Sequence, residues 1–253
     1  MQHASPSTIF QGATMQAATV DTRVSPSLHP DNVKQIEGYE ESAALLNPTL
    51  DAFATAYAGI GAVYEARDKA KSNPTWNENQ QIIHTSDLAE KYQTSICKTF
   101  DNVRANLQKQ VDHFEQELSI PLVNQAGVGI SSEIRKYAKE LSTEERHAFI
   151  REAIDSGDRI TVGAVLGAPA YLSGLDSNFS KTYSRMWNER SAPDIARKLK
   201  AVQAAKQMIE DRAALVFNQL EHAVGATSSK ARELREAQKN AEKAFAFNGT
   251  STR

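Results

Sequence analysis

The sequence predicts an all-α fold: a long antiparallel helical hairpin, a set of short helices, a C-terminal coiled-coil-like helix and an extended N-terminal arm. Three observations carry this. Apolar residues recur at three- and four-residue steps over most of the chain, which is the spacing of one helix face. Ser, Thr and Asp stand where such stretches begin, and Gly or Pro where they end. No stretch alternates apolar and polar residues over a useful strand length.

Residues 1–31 are rich in Ser, Thr, Ala, Gln and Pro. With few large apolar groups they cannot offset their own ordering entropy, so they read as a flexible or extended arm. Val33 and Ile36 then suggest one helical turn that ends near Gly38. From Tyr39, the residues Leu45, Leu46, Leu50, Phe53, Tyr57, Ile60 and Tyr64 mark a helix running to about residue 72, in which Pro48 either breaks the helix or starts a second segment at Asn47. The glycines of "AGIGAVYEA" lie inside this helix and read as a place of close packing. In "NPTWNENQ" Thr75 and Glu78 have capping-box spacing, so the next helix is expected to start there and run to about Leu118. Its stripe (Tyr92, Ile96, Phe100, Val103, Leu107, Val111, Phe114, Leu118) repeats every eleven residues, which favours a straight or slightly right-handed seam. Residues 32–120 therefore read as the hairpin.

Residues 121–190 read as a segment of short helices. "SIPLVNQAGVGISSE" is an irregular connector, with Ser131 or Ser132 expected to cap a helix through Lys139. Ser142 and Glu145 form a second capping-box pattern. Ser156-Gly157 ends that helix and Asp158 caps another through Leu166, with Ile160, Val162, Val165 and Leu166 as its face. Gly167 and Pro169 stop it, and an apolar exit, "APAYLSGL", follows. Asp176 or Ser177 opens a helix with Phe179, Tyr183, Met186 and Trp187. Ser191 with Asp194 is expected to start the last long helix in the remaining unit, 191–253. There Ile195, Val202, Ile209, Val216 and Ala223 share one heptad position, and Leu199, Lys206, Ala213 and Leu220 the other. Met208 and Leu215 add a second apolar edge. After a break at 225–229, a charged helix ends in Phe245 and Phe247.

Composition narrows the function classes. Hydrophobic residues make up 40% of the 253, charged 24% and aromatic 7%, which suits helices that each bury a stripe. The single cysteine, Cys97, rules out an internal disulfide or a multi-cysteine metal site and reads as a buried thiol. The six histidines form no HxxxH or HExxH pair. "GVGISSE" lacks the Lys-Ser/Thr ending of a phosphate loop, and no GxSxG elbow occurs. No catalytic, cofactor-binding or metal-binding residue is therefore assigned, and catalysis is not expected. The start of the chain lacks the basic and apolar regions of a signal peptide, and no run is apolar enough for a membrane span. The net charge of −2 hides an asymmetry: residues 1–180 carry 15 basic and 23 acidic side chains, and residues 181–253 carry 14 and 8.

The stretch "FIREAIDSGDRITVGAVL" resembles a single ankyrin-type helix pair, at 149–167 only; with no 33-residue period elsewhere it implies local geometry and not a repeat array. The longer segment "LSTEERHAFIREAIDSGDRITVGAVLGAPAYLSGL", residues 141–175, resembles stretches in uncharacterised helical proteins of tailed phages and prophages. That resemblance implies a virion or assembly component, either internal, connector-associated or scaffold-like, and transfers no functional residue. A cytoplasmic or virion-associated location follows.

Three functions fit the sequence. In the first, the protein is a non-enzymatic structural or assembly protein that self-associates, or meets another structural protein, through Ile195, Leu199, Val202, Met208, Ile209, Leu215, Val216 and Leu220. In the second, a monomeric adaptor docks a partner through the 149–175 hairpin, with Ala170, Tyr171 and Leu172 as candidate contacts at its exit. In the third, the basic region 181–243 contacts nucleic acid, with Arg197, Lys198 and Lys200 on phosphate.

Overall fold

The computed structural model describes residues 20–118 and 128–245. These residues form helices and turns and, among them, no strand. The chain enters along residues 20–36, where a 3-10 turn (Pro26–Leu28) and α1 (Asp31–Lys34) set Val24, Leu28, Val33 and Ile36 into the core. The expectation of a flexible or extended arm is thereby corrected for residues 20–31, which pack on the bundle of their own chain. Val24 and Leu28 are both buried, and Arg212 Nη1 donates to the Ser27 carbonyl at 2.6 Å. The Tyr57 hydroxyl donates to the Asp21 carbonyl at 2.8 Å. Residues 1–19 of the expected arm lie outside the described residues.

α2 (Tyr39–Lys71), α3 (Glu78–Glu117) and α8 (Pro193–Val224) each pack against the other two, forming a three-helix bundle. α2 runs through Pro48 without a break. Proline removes one helical hydrogen bond, to the carbonyl four residues earlier; Pro48 and Ala44 both face solvent, so water can replace it. Phe53, Ile60, Ile96, Leu107, Leu199 and Ile209 are among the fully buried centre of this core. Gly59 lets α2 and α3 approach closely, since a Cβ there would meet Tyr92 Cδ1 at 2.8 Å. Cys97 is only partly buried, and burial raises its thiol pKa.

α3 begins one turn-step later than the Thr75–Glu78 spacing suggests. Asn77 is its cap, and Asn77 and Gln80 form the reciprocal capping box. Thr75 instead turns back on Asn73 Oδ1 through both its N–H and its hydroxyl. The start of α8 also differs: Ser191 closes the preceding helix, and Pro193 opens α8 with no side-chain cap. Pro suits a first helical position because its missing N–H would be unpaired there anyway. α8 shares one core with α2 and α3.

A second apolar cluster joins α4 (Val128–Glu140), α5 (Thr143–Ser156), α6 (Arg159–Leu166) and α7 (Ser177–Ser191) around Ala138, Ile150, Ile154, Val165, Tyr183 and Trp187. α4 already includes Val128, so Ser131 and Ser132 lie inside it and do not cap it. The other local signals hold. Ser142 and Glu145 make the capping box, Gly157 ends α5 at φ +76°, Asp158 caps α6 and Asp176 caps α7. Asn188 Nδ2 ties α7 to the end of α3, donating to the Leu118 carbonyl at 2.5 Å. α9 (Ser228–Ala244) then packs on α3.

Candidate docking surface

The short-helix cluster is held from within by an arginine. Arg146 lies in the first turns of α5, where the helix dipole favours acids. Its guanidinium points backwards instead, donating to the carbonyls of Ala138 at 2.7 Å, Leu141 at 2.7 Å and Lys139 at 3.2 Å, which are the open C-terminal end of α4. It also donates to the Gly174 carbonyl at 2.6 Å. One side chain thus closes the end of α4 and anchors the "APAYLSGL" exit.

That exit is built, not loose. Ala170–Leu172 form a 3-10 turn, and Leu175 N–H donates to the Ala170 carbonyl at 3.0 Å. The buried Ser173 hydroxyl donates to the carbonyls of Val165 and Ala170. With the backbone fixed from below, the two large side chains of the turn face outwards: Tyr171 is 71% exposed and Leu172 40%. Ala170 packs partly on the cluster. Elsewhere on the short helices, α6 presents Ile160, α4 presents Ile130 and Tyr137, and α7 presents Phe179 and Met186, all exposed. Ile160 therefore leaves the apolar face assigned to it. At about 100° per residue it sits opposite Val162, and an eight-residue helix covers only one side.

Two of the exposed rings, Tyr137 and Phe179, rest against neighbouring rings. Tyr137 meets Phe149 edge-on at 5.4 Å between centroids. His147 lies 4.3 Å from Phe179, and its Nδ1 shares a 2.8 Å hydrogen bond with the Tyr183 hydroxyl. The cap of α6 is electrostatically settled as well. Hydrogen bonds from Thr161 and Ile160 hold the Asp158 carboxyl below its ordinary value, against some desolvation.

The heptad residues expected to form an interface are spent inside the chain. Leu199, Val202, Ile209, Val216 and Leu220 are buried in the bundle core, and Ile195, Met208 and Leu215 pack partly against it. The basic residues do not converge. Arg197 pairs with Asp194 on its own helix, Lys198 is half-buried and Lys200 exposed. Among the described residues, no group of His, Cys, Asp or Glu is arranged to hold a metal ion, and no helix is long and apolar enough to cross a membrane.

Of the exposed side chains of this cluster, sequence reasoning named Tyr171 and Leu172 as candidate contacts and did not name Ile130, Tyr137, Phe179 or Met186, nor the anchor Arg146. The one legible signal was an arginine in a first turn that prefers acids. No family model, curated protein or solved structure matches the chain.

Proposed function

We propose that the protein is a non-enzymatic structural or assembly component that docks another protein on its short-helix cluster. The observation that carries this is the distribution of exposed apolar side chains. Residues 128–191 make up less than a third of the described chain, yet hold seven of its ten exposed large hydrophobics. Concentrations of this kind mark interaction sites on soluble proteins. The fixed turn beneath Tyr171 and Leu172 supports the reading, because a preorganised anchor binds at lower entropic cost. The tailed-phage resemblance of residues 141–175 takes in Ile160, Tyr171 and Leu172 of this surface and suggests a virion or its assembly as the setting.

The adaptor form is favoured over helix-seam self-association by one finding: the seam residues already lie in the chain's own core. The test compares the full chain with a Tyr171→Ser, Leu172→Ser variant by light scattering across a concentration series. An oligomer that the variant dissolves supports docking of a second copy on this face. An oligomer indifferent to the variant is held by another surface and refutes only the docking of a second copy on this face. A monomer at every concentration refutes self-docking and leaves a different protein as the partner.

A further inference from the structure

We propose that α9 is an exchangeable clasp: the α3–α8 groove it covers also accepts α9 of a second copy of this chain. The cis contact is thin. Of the seventeen residues of α9 only Ala231 is buried, with Leu234 and Arg235 half-buried. From Glu236 to Phe245 every residue is exposed. The reach to α3 is ionic: Arg235 Nε donates to Asp87 at 2.8 Å, its Nη1 to Glu90 at 2.5 Å, and its Nη2 to the Ser86 hydroxyl.

The groove beneath is incompletely filled and is lined by apolar and polar side chains alike. A cavity of about 80 Å³ lies between the helices, lined by Ala89, Leu220, Val224 and the exposed Phe217 together with Glu90 and Glu221. When α9 leaves, Asp87 and Glu90 lose their cation, and the hollow that Ala231 lines together with Leu220 and Val224 loses one wall. The surface left behind calls for a basic, amphipathic helix carrying a small residue one turn before an arginine, as Ala231 precedes Arg235. The occupant that meets this demand is α9 itself, and each copy offers both the groove and the helix, so the exchange is reciprocal and closes as a dimer. The connection allows it: residues 225–227 alone join α8 to α9, with Gly225 in the left-handed region at φ +78°.

The full chain is tested in three measurements. Amide exchange read by mass spectrometry is expected to show α9 opening independently of α2, α3 and α8. Arg235→Gln should speed α9 exchange by about tenfold and leave the bundle unchanged, and raising salt from about 50 to about 500 mM should act in the same direction, since the pair is partly exposed. A synthetic peptide of residues 225–245, with Arg235 intact, should bind the Arg235→Gln protein and lose affinity over the same salt range. Light scattering of the unmodified chain should show a dimer that forms as concentration rises. Exchange of α9 only together with the whole bundle, no binding of the peptide, or a monomer at all concentrations would each overturn the proposal.

Discussion

Replacing Arg146 with Met keeps the apolar stem and removes every donor. Three of its four bonds are short, to Gly174 at 2.6 Å and to Ala138 and Leu141 at 2.7 Å each. A hydrogen bond from a charged donor contributes about 1.5–3 kcal/mol where the acceptor cannot find water instead. The α4 carbonyls lie at a helix end and regain water in part, so the three do not add. The expected loss is about 3 kcal/mol, or roughly a hundredfold in the local folding equilibrium. The chain has two tryptophans, and Trp187 sits in the short-helix core. In a Trp76→Phe background its fluorescence reports that cluster alone during urea unfolding. The Trp187 transition should move to lower urea while helicity of the bundle persists. Arg146→Lys, with one compact donor group, should recover less than half of the loss. A Trp187 transition within about 0.5 kcal/mol of the parent would refute the keystone role of Arg146.

Three further outcomes follow from single residues. Asp158→Ala should cost the short-helix cluster about 1 kcal/mol at neutral pH, the usual worth of an N-cap. Because the folded carboxyl titrates below its ordinary value, this stabilisation is present above the unfolded pKa and lost as pH falls through the folded one. The gap between parent and variant in Trp187 urea midpoints should therefore close in acid, and a gap that widens there would contradict the cap. Pro48→Ala should raise the thermal midpoint of the bundle, by about 1–3 kcal/mol in stability, because it restores an interior helix bond at an exposed position; a lowered midpoint would show that the ring is needed. Gly225→Ala should destabilise the α8–α9 junction by about 1–2 kcal/mol, since the residue has φ +78° and its new Cβ would fall 2.0 Å from Arg67 Nη2. Calorimetry of Gly225→Ala with and without Arg67→Ala separates the clash, which the second change removes, from the backbone strain, which it leaves.

Much of the local structure was legible in the sequence because its causes are local. The Ser142–Glu145 box, the Gly157 stop and the caps Asp158 and Asp176 each join groups within a few residues, so spacing alone identifies them. Where two candidates compete within one turn, spacing no longer decides. Thr75 and Asn77 both precede α3, and the turn that binds Thr75 to Asn73 leaves Asn77 as the cap. Ile160 failed for a related reason: on a short helix an apolar residue is not always on the covered side.

By itself, then, the sequence determined which segments are helices, where most of them begin and end, and which faces need cover. A period of three or four residues states that a stripe must leave water, but it carries no information about what will cover it. Only the tertiary structure decided that the heptad of α8 is covered by α2 and α3 of the same chain. The same holds for Val24 and Leu28, which close the bundle from a segment whose composition suggested no core, and for Arg146, whose acceptors lie on another helix and in a distant turn. Burial and hydrogen bonding are satisfied in space, by whichever groups the fold brings close, and that choice belongs to the packed chain as a whole.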